Sequence, residues 1–277
     1  MEIKANAKIN LTLDVVKKRD DGYHEMDMIM VPLSLCDILH VEIAQEDCIT
    51  CEKEAFPLDE SNTIYKAIVL MREKYHIKEH FHVRVEKHIP MQAGLAGGSA
   101  DGAAMLKAIV SLCKLSISEE ELLAIGKQIG ADVPFCIVNK PARVQGIGEK
   151  VTRFVQNCPF YVLLVKPQEG VSTGKAFSLI DFTCCKHPDV DSALKCLQDN
   201  DYETFCACID NTLEQSALQL VPKIAAIKQE LNDLGFDAVL MSGSGSTVFA
   251  ITRDASLLTK AKQVMNQYAF VLDCEMI

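Results

Sequence analysis

The sequence has little positive charge. It contains 28 lysine and arginine residues against 38 aspartate and glutamate residues, and the net charge of its 277 residues is −10. A surface that binds nucleic acid or an anionic membrane needs clustered basic side chains, so neither partner is expected. The overall charge does not exclude an anionic small molecule as the substrate, because a local basic patch can oppose it.

Long apolar segments are also absent. The longest apolar run, from Phe160 to Val165, is far shorter than the ~20 residues that cross a bilayer. The first residues, Met1 to Lys4, lack the apolar region of a signal peptide. We therefore expect a cytoplasmic protein without a membrane anchor.

The twelve cysteines lack the spacing of a metal site. Cys48-x-x-Cys51 has no second pair at zinc spacing, and neither Cys184-Cys185 nor Cys206-x-Cys208 supplies one. Without a secretory signal, cysteines are expected to be reduced. We predict free thiols that act as small apolar side chains, with no metal held by the protein itself.

The apolar content is high enough for a substantial core: 49% of the residues are hydrophobic and 24% are charged. The strongest periodic pattern runs from Ile3 to Val15, where apolar and polar residues alternate as in a half-buried strand. Further strands are predicted at 28–35, 38–43, 81–89, 135–138, 141–145, 160–165, 238–241, 247–251 and 270–273. Helices are predicted at 64–75, through 110 after a glycine-rich loop, from 119 to just before 130, and at 190–199, 202–207, 222–234 and 255–268.

The pattern restarts near residue 156, which predicts two domains, 1–155 and 156–277. The order helix, strand, strand, helix, strand at the end of the chain is typical of a ferredoxin-like α+β layer. Since no flexible linker is visible, we expect a tight interface between the two halves, with a cleft there.

The glycine-rich stretch from Pro90 to Ala104 carries the most information about function. It joins a predicted strand to a predicted helix, and its glycines allow another molecule to approach the backbone closely. The helix directs its unpaired amide groups and the positive end of its dipole toward the loop, which favours bound phosphate. A tight turn packed against a neighbouring element is the alternative. The spacing matches neither a Walker-type loop nor a dinucleotide-binding loop.

Five stretches resemble, in order, the motifs of the GHMP small-molecule kinases. They are Ala7 to Leu11, Asp21 to Glu25, the glycine-rich loop, Gly130 to Phe135, and Ser242 to Phe249. The resemblance implies an α+β, two-domain GHMP kinase fold, with a ribosomal-S5-like N-terminal layer, a ferredoxin-like C-terminal layer and the active site in the cleft between them. It also implies phosphorylation of a small alcohol with ATP and Mg²⁺.

Residue roles follow from the resemblance at matching positions. Lys8 is expected to hold the acceptor hydroxyl and the transferred phosphoryl group, and Asp132 to accept the hydroxyl proton or to orient the hydroxyl. Ser99 is expected to cap the loop helix, and Asp101 to interact with the helix dipole rather than with a metal. The residues expected to bind ATP are Pro90, Met91, Gln92, Ala93, Gly94, Leu95, Ala96, Gly97, Gly98, Ser99 and Ala100.

The substrate expectation rests on two features of the resemblance. Gly97-Gly98-Ser99 and Tyr23-His24 are most similar to the family members that phosphorylate the 2-hydroxyl of 4-diphosphocytidyl-2-C-methyl-D-erythritol in isoprenoid precursor biosynthesis. The implied substrate-binding residues are Asn10, Tyr23, His24, Thr173, Phe177, Gly243 and Gly245.

The sequence departs from the family pattern at two positions. Ala100 replaces a second loop serine, and Met30 replaces an aromatic residue of some relatives. Another small alcohol, such as mevalonate, phosphomevalonate or homoserine, and a non-catalytic nucleotide-binding role remain the alternatives.

Overall fold

The computed structural model describes residues 1–277 and confirms the predicted α+β class. Its strands are β1 (Glu2–Lys18), β2 (His24–Ala44), β3 (Cys48–Cys51), β4 (His80–Glu86), β5 (Ala142–Gly146), β6 (Lys150–Arg153), β7 (Tyr161–Lys166), β8 (Ala238–Met241), β9 (Val248–Thr252) and β10 (Phe270–Cys274). Its helices are α1 (Thr63–Tyr75), α2 (Gly97–Leu112), α3 (Glu119–Ile129), α4 (Val133–Val138), α5 (Thr173–Ser178), α6 (Val190–Asp199), α7 (Tyr202–Cys208), α8 (Glu214–Leu220), α9 (Lys223–Leu234) and α10 (Ala255–Val264). None of these helices has the length and apolar character needed to traverse a bilayer.

The chain forms two compact units, each built from separate stretches. Unit 1 comprises Met1–Ala7, Leu35–Ile89 and Ala96–Asn139; unit 2 comprises Lys8–Ser34, Pro90–Leu95 and Lys140–Ile277. This division differs from the sequential domains 1–155 and 156–277. The difference arises because β1 and β2 are long strands that continue from one unit into the other.

Unit 1 combines strands with four helices. Residues 38–44 of β2 pair with β4 in the antiparallel direction, and β4 pairs with β3 in the parallel direction. Helix α2 packs against α1, α3 and α4. Helix α3 begins as predicted, because the Ser118 side chain accepts a hydrogen bond from the Glu121 amide.

Unit 2 contains the predicted ferredoxin-like layer. Its four strands are antiparallel in the order β10-β7-β9-β8. Helix α9 packs against β8 and β9, and α10 packs against β7 and β10. In a second antiparallel set, residues 26–30 of β2 pair with β5, and β5 pairs with β6.

Two predictions of secondary structure are wrong. The predicted strands 28–35 and 38–43 form the single strand β2, because Asp37 between them is completely buried and paired instead of breaking the strand. The predicted strand 135–138 lies in α4. All six residues of α4 are buried, so its apolar run lacks the polar positions that would reveal a helical period, and Pro134 is compatible with a first turn.

The alternation in β1 is real, but both of its faces are buried along most of the strand. The odd positions from Ala5 to Val15 enter the core, and Lys8, Asn10 and Thr12 on the opposite face are also buried. Polar side chains that are buried need internal partners.

Candidate active site

The glycine-rich loop reaches α2 through a backbone that most side chains disfavour. Gln92, Gly94 and Ala96 all have positive φ angles, of 51°, 74° and 57°. Helix α2 begins at Gly97, and no side chain caps it. Ser99 is therefore not the cap, contrary to the sequence prediction, but the third residue of the helix. An uncapped amino-terminal turn leaves backbone amides that a phosphate group can bind.

The glycines at this turn have different surroundings. A Cβ atom on Gly97 would lie 3.0 Å from the Ile89 side chain and 3.1 Å from Lys87 Nζ. Around Gly98 the nearest atom would be Thr63 Oγ1, at 3.9 Å, and the same hydroxyl donates a hydrogen bond to the Gly98 carbonyl at 2.5 Å. Close packing thus accounts for Gly97, whereas Gly98 faces open space that a ligand can enter.

In unit 2, the first part of this loop packs against the loop that follows β8. A Cβ atom on Gly94 would lie 2.0 Å from the Ser242 carbonyl oxygen, and one on Gly243 would lie 2.9 Å from the Gly94 carbonyl oxygen. The Ser242 hydroxyl also donates to the Gly94 carbonyl at 3.1 Å. Gly94 and Gly243 therefore permit two backbones to approach each other closely.

One further predicted residue, Gly245, belongs to this second loop, and another, Thr173 of α5, contacts it. Gly245 has a φ of 87°, and its missing Cβ would lie 2.6 Å from the sulfur of Met241. The hydroxyls of Thr173 and Ser244 are 2.8 Å apart, which joins α5 to the loop.

The Lys8 side chain reaches both the glycine-rich loop and the loop that follows β8. Its side chain is only 3% exposed, and Nζ donates hydrogen bonds to Asn10 Oδ1 at 2.6 Å and to the Gly94 carbonyl at 3.0 Å. Asn10 in turn donates to the sulfur of Met28 at 3.3 Å. The structure thus brings together Lys8, Asn10, Gly94 and Gly243, and fixes an ammonium group beside the glycine-rich loop.

Asn211, which the sequence analysis does not predict, stabilises the loop that follows β8. Its buried side-chain amide donates to the carbonyls of Met241 and Gly243 at 2.8 and 2.9 Å. The bonds fix the backbone that lies against Gly94. No local motif surrounds Asn211, and its partners are about thirty residues away, so the sequence offered no signal.

Asp132 lies in unit 1, at the turn between α3 and α4. Its backbone is helical, and its side chain does not cap α4, so the half-buried carboxylate is not engaged in that role. A Cβ atom on Gly130, two residues earlier, would lie 3.8 Å from Ser99 Oγ. The turn that carries Asp132 is therefore next to the first turn of α2, while Lys8 belongs to unit 2.

Aromatic rings surround His24 in unit 2. The ring of Phe177 lies 4.7 Å from that of His24, and the ring of Phe182 lies 6.2 Å away and only 15° from parallel. Tyr23 is 60% exposed. Burial lowers the pKa of His24, with a smaller contribution from the charge of Lys18, and this favours the neutral imidazole.

The sequence prediction included His24 and Phe177 but missed Phe182. Phe182 lies outside any helix or strand, in a segment without periodicity. Only the exposure of its ring marks Phe182 as a candidate binding residue, and that exposure cannot be read from the sequence.

A buried ionic cluster supports α2. Lys87 Nζ pairs with Asp37 and, at 2.7 Å, with Asp101, and all three side chains are almost fully buried. Burial raises the pKa of Asp101 to about 7, and the nearby Lys87 charge opposes that effect. Asp101 was expected to act through the helix dipole. That expectation is wrong, because Asp101 lies beyond the first turn of α2 and its carboxyl group pairs with Lys87, which follows β4.

The residues present do not form a protein cage for Mg²⁺. No group of three or more histidine, cysteine, aspartate or glutamate side chains is arranged to hold a metal ion. Asp101 is occupied by Lys87, and Ala100 has no hydroxyl, which leaves the half-buried Ser99 as the hydroxyl in this turn. Mg²⁺ commonly binds through substrate phosphates and water, with few protein ligands.

Comparison with known proteins shows similarity to one family of kinases over most of the chain. The family model described as GHMP kinases N terminal domain matches residues 62–140, and that described as GHMP kinases C terminal matches residues 193–270. The 4-diphosphocytidyl-2-C-methyl-D-erythritol kinase of Geobacillus thermodenitrificans is 40% identical over 263 residues, which cover 94% of this chain and 91% of the relative. The kinase of the same name from Bacillus subtilis is 38% identical over 265 residues, which cover 95% of this chain and 91% of the relative.

Solved structures give the same result at the level of the fold. A crystal structure of 4-(cytidine 5'-diphospho)-2C-methyl-D-erythritol kinase has a TM-score of 0.84 and 28% identity, covering 100% of this chain and 99% of that one. Homoserine kinase from Cytophaga hutchinsonii has a TM-score of 0.75 at 18% identity, covering 100% of this chain and 95% of that one. At that identity the likeness concerns the fold alone.

Proposed function

Since the chain belongs to the GHMP kinase family of ATP-dependent phosphotransferases, we propose that it transfers the γ-phosphate of ATP to the 2-hydroxyl of 4-diphosphocytidyl-2-C-methyl-D-erythritol. This reaction belongs to isoprenoid precursor biosynthesis, and its use of ATP fits a cytoplasmic enzyme. The observation that carries the choice of substrate is the near-full-length similarity, at about 40% identity, to kinases of that name. The aromatic group at His24 supports a planar base in the same substrate.

ATP phosphates are assigned to the loop from Pro90 to Ala100. The uncapped start of α2 supplies backbone amides, and the open space at Gly98 allows a phosphate to approach them. Gly94 and Gly97 contribute through packing, since a side chain at either position would collide with its neighbours. The loop thus acts mainly through its backbone.

Lys8 is assigned to the chemical step. In phosphoryl transfer, charge spreads over the phosphoryl oxygens, and a fixed ammonium stabilises that charge. Asn10 and the Gly94 carbonyl hold Nζ in place, so little reorganisation is needed during the reaction. Asn10 accordingly serves by positioning Lys8 as well as by lining the substrate site.

Asp132 is assigned as the partner of the acceptor hydroxyl. Its carboxylate does not cap α4, and its turn lies next to the first turn of α2. It either accepts the hydroxyl proton or orients the hydroxyl for attack on the γ-phosphorus. Transfer is direct, without a covalent intermediate on the protein. Ser99 would help to hold Mg²⁺ delivered with ATP, and the bound ion would neutralise phosphate charge.

The cytidine base is assigned to the aromatic group in unit 2. Neutral His24 can offer one ring nitrogen as a donor and the other as an acceptor, which suits the hydrogen-bonding edge of cytosine. Phe177 and the exposed ring of Tyr23 supply stacking surfaces. Thr173, Gly243 and Gly245 are assigned to the diphosphate side of the same substrate, where Ser244 is held by Thr173.

A substrate panel tests the proposal. The purified protein, ATP and Mg²⁺ are incubated with the cytidine substrate, its uridine analogue, mevalonate, phosphomevalonate or homoserine, and product formation is followed by ADP release and mass spectrometry. We expect turnover of the cytidine compound and a preference over uridine, because an unpaired buried polar group costs about 1–3 kcal/mol. Efficient turnover of another alcohol with none of the cytidine compound would contradict the substrate. ATP binding without any turnover would contradict the enzyme assignment.

A further inference from the structure

Three side chains of unit 2 form a hydrogen-bonded series that the proposed kinase reaction does not use. Cys185 Sγ lies 3.5 Å from His187 Nε2, and His187 Nδ1 lies 2.6 Å from Asp14 Oδ1. A thiol, an imidazole and a carboxylate in this order can activate a cysteine nucleophile: the carboxylate orients the ring, and the ring accepts the thiol proton.

The carboxylate end of the series is firmly held. Asp14 lies in β1 and its side chain is largely buried. The hydroxyl of the buried Thr212 is 3.2 Å from the same Asp14 oxygen and 2.9 Å from the Lys186 carbonyl. The Thr212 amide donates to the Leu13 carbonyl at 2.9 Å. Asp14 is part of β1, and Thr212 links β1 to the Lys186 carbonyl, so the segment that carries Cys185 and His187 is held close to β1.

The thiol end can be reached from solvent. His187 is exposed and Cys185 is half-buried, so a small reagent can approach the sulfur. Burial, and then the charge of Asp14, raises the pKa of the Cys185 thiol. Two other charged groups are nearby. Lys186 Nζ is 3.9 Å from Asp210, and the charge of Asp181 also raises the pKa of the Cys185 thiol. The thiol is therefore mostly protonated at neutral pH and needs a base in order to react.

We propose that Cys185 is a modification site for small disulfides, with His187 as its general base and Asp14 as the orienting carboxylate. His187 Nε2 accepts the thiol proton while Cys185 Sγ bonds to one sulfur of the reagent and the disulfide bond breaks. The leaving thiolate then takes the proton from His187. One protein thiol and one disulfide thus give one mixed disulfide and one free thiol. The inference is independent of the proposed kinase reaction.

Cys184 provides a control within the same molecule. It is adjacent to Cys185 and more exposed, and its sulfur lies near the Asp181 carbonyl rather than an imidazole. Exposure alone would make Cys184 the faster of the two. A general base would reverse that order, since it contributes about 10²-fold or more in favourable cases.

The experiment measures labelling by limiting dithiodipyridine, a neutral disulfide, on the full-length protein. Remaining thiols are blocked with N-ethylmaleimide, and fragmentation of the tryptic peptide 176–186 separates the two sulfurs. At neutral pH we expect Cys185 to react at least about tenfold faster than Cys184. Equal rates, or faster labelling of Cys184, would overturn the proposal without the need for any variant.

Variants identify the base. His187→Gln should slow labelling of Cys185 about tenfold or more and make it depend more steeply on pH, because the thiol must then ionise unaided, while Cys184 is unchanged. Asp14→Asn should slow it less. Lys186→Arg, a neighbour outside the series that keeps both the charge and the tryptic site, is the matched control and should leave the rate as in the wild type. An unchanged Cys185 rate in a folded His187→Gln protein would show that the imidazole does not serve the thiol.

Discussion

The Lys87 ammonium group lies 2.7 Å from the Asp101 carboxyl group inside the core, measured from Nζ to Oδ2. Lys87 follows β4, and Asp101 is the fifth residue of α2, so the pair joins the helix to the strand that precedes the glycine-rich loop. Asp37 completes the arrangement by accepting hydrogen bonds from the amides of His88 and Ile89 at 2.6 and 2.8 Å. The position of the helix start therefore depends on charges within the core.

The first prediction concerns the pH dependence of stability. Burial raises the pKa of Asp101 to about 7 in the folded protein, against about 3.9 for an unperturbed aspartate. The folded state therefore retains a proton that the unfolded chain loses, and this group's contribution to the free energy of unfolding falls as the pH rises from about 4 to about 7. In Asp101→Asn this contribution is absent.

Urea denaturation at several pH values between about 4.5 and 7.5 measures the effect. The free energy of unfolding of the wild type should decline relative to that of Asp101→Asn over this range. Glu120→Gln removes an exposed carboxylate from the first turn of α3 and serves as the control. Parallel curves for the wild type and Asp101→Asn would show that Asp101 ionises as in the unfolded chain.

The second prediction concerns Lys8. Lys8→Met keeps most of the buried stem and removes the ammonium group at the two loops. Turnover should fall about 10²-fold or more, the scale of a lost electrostatic group, while ATP affinity changes little because the loop backbone binds the phosphates. Lys4→Met, on the same face of β1 but exposed, is the matched control. Near-normal turnover of Lys8→Met in a steady-state assay would exclude Lys8 from the chemical step.

The third prediction concerns Asp132. Asp132→Asn preserves shape and removes the charge, so we expect turnover to fall about 10²-fold or more. Titration with ATP should give an affinity close to that of the wild type. Asp199→Asn, at the exposed end of α6, controls for the loss of one negative charge. If Asp132→Asn weakened ATP binding without slowing turnover at saturation, the residue would belong to the nucleotide site instead.

The fourth prediction separates two glycines of the loop. Gly98→Val places a side chain into open space, so ATP affinity should collapse while the protein stays folded. Glu120→Val puts the same β-branched residue near the start of another helix as a control. Gly94→Ala should instead destabilise the fold by ~1–3 kcal/mol, because its Cβ meets the Ser242 carbonyl. Calorimetric ATP titration and thermal unfolding distinguish the two effects, and normal ATP binding by Gly98→Val would remove this turn from the site.

The fifth prediction concerns the aromatic group. Phe182→Ala removes a ring that is nearly parallel to His24, and an aromatic pair contributes about 0.5–1.5 kcal/mol. The dissociation constant of the cytidine substrate should therefore rise about two- to tenfold, without a change in ATP affinity. Tyr161→Ala removes an exposed ring elsewhere in unit 2 and is the control. Equal affinities for Phe182→Ala and the wild type would separate Phe182 from the base.

Much of the candidate site was predictable because its motifs are local. Its residues are contiguous or nearly so within each motif: the glycine-rich loop, Lys8 with Asn10, and Tyr23 with His24. Their spacing can therefore be read directly from the sequence. Ser99 is different. Its residue type predicts a cap, whereas the loop backbone places Ala96 at that position with a φ of 57°.

Local patterns along the chain are sufficient to predict the elements whose signals repeat over short distances: the alternation of β1, the capped start of α3, and the helices and strands of the ferredoxin-like layer. The contacts between segments that are distant in the sequence are defined only by the folded structure. Apolar residues 133–138 became a helix because the core surrounds them on every side. Asp37 pairs with Lys87, which is 50 residues away in the sequence, and Asp14 pairs with His187, which is 173 residues away. Each partner satisfies a polar group that folding removes from water, and no local pattern records which partner that will be.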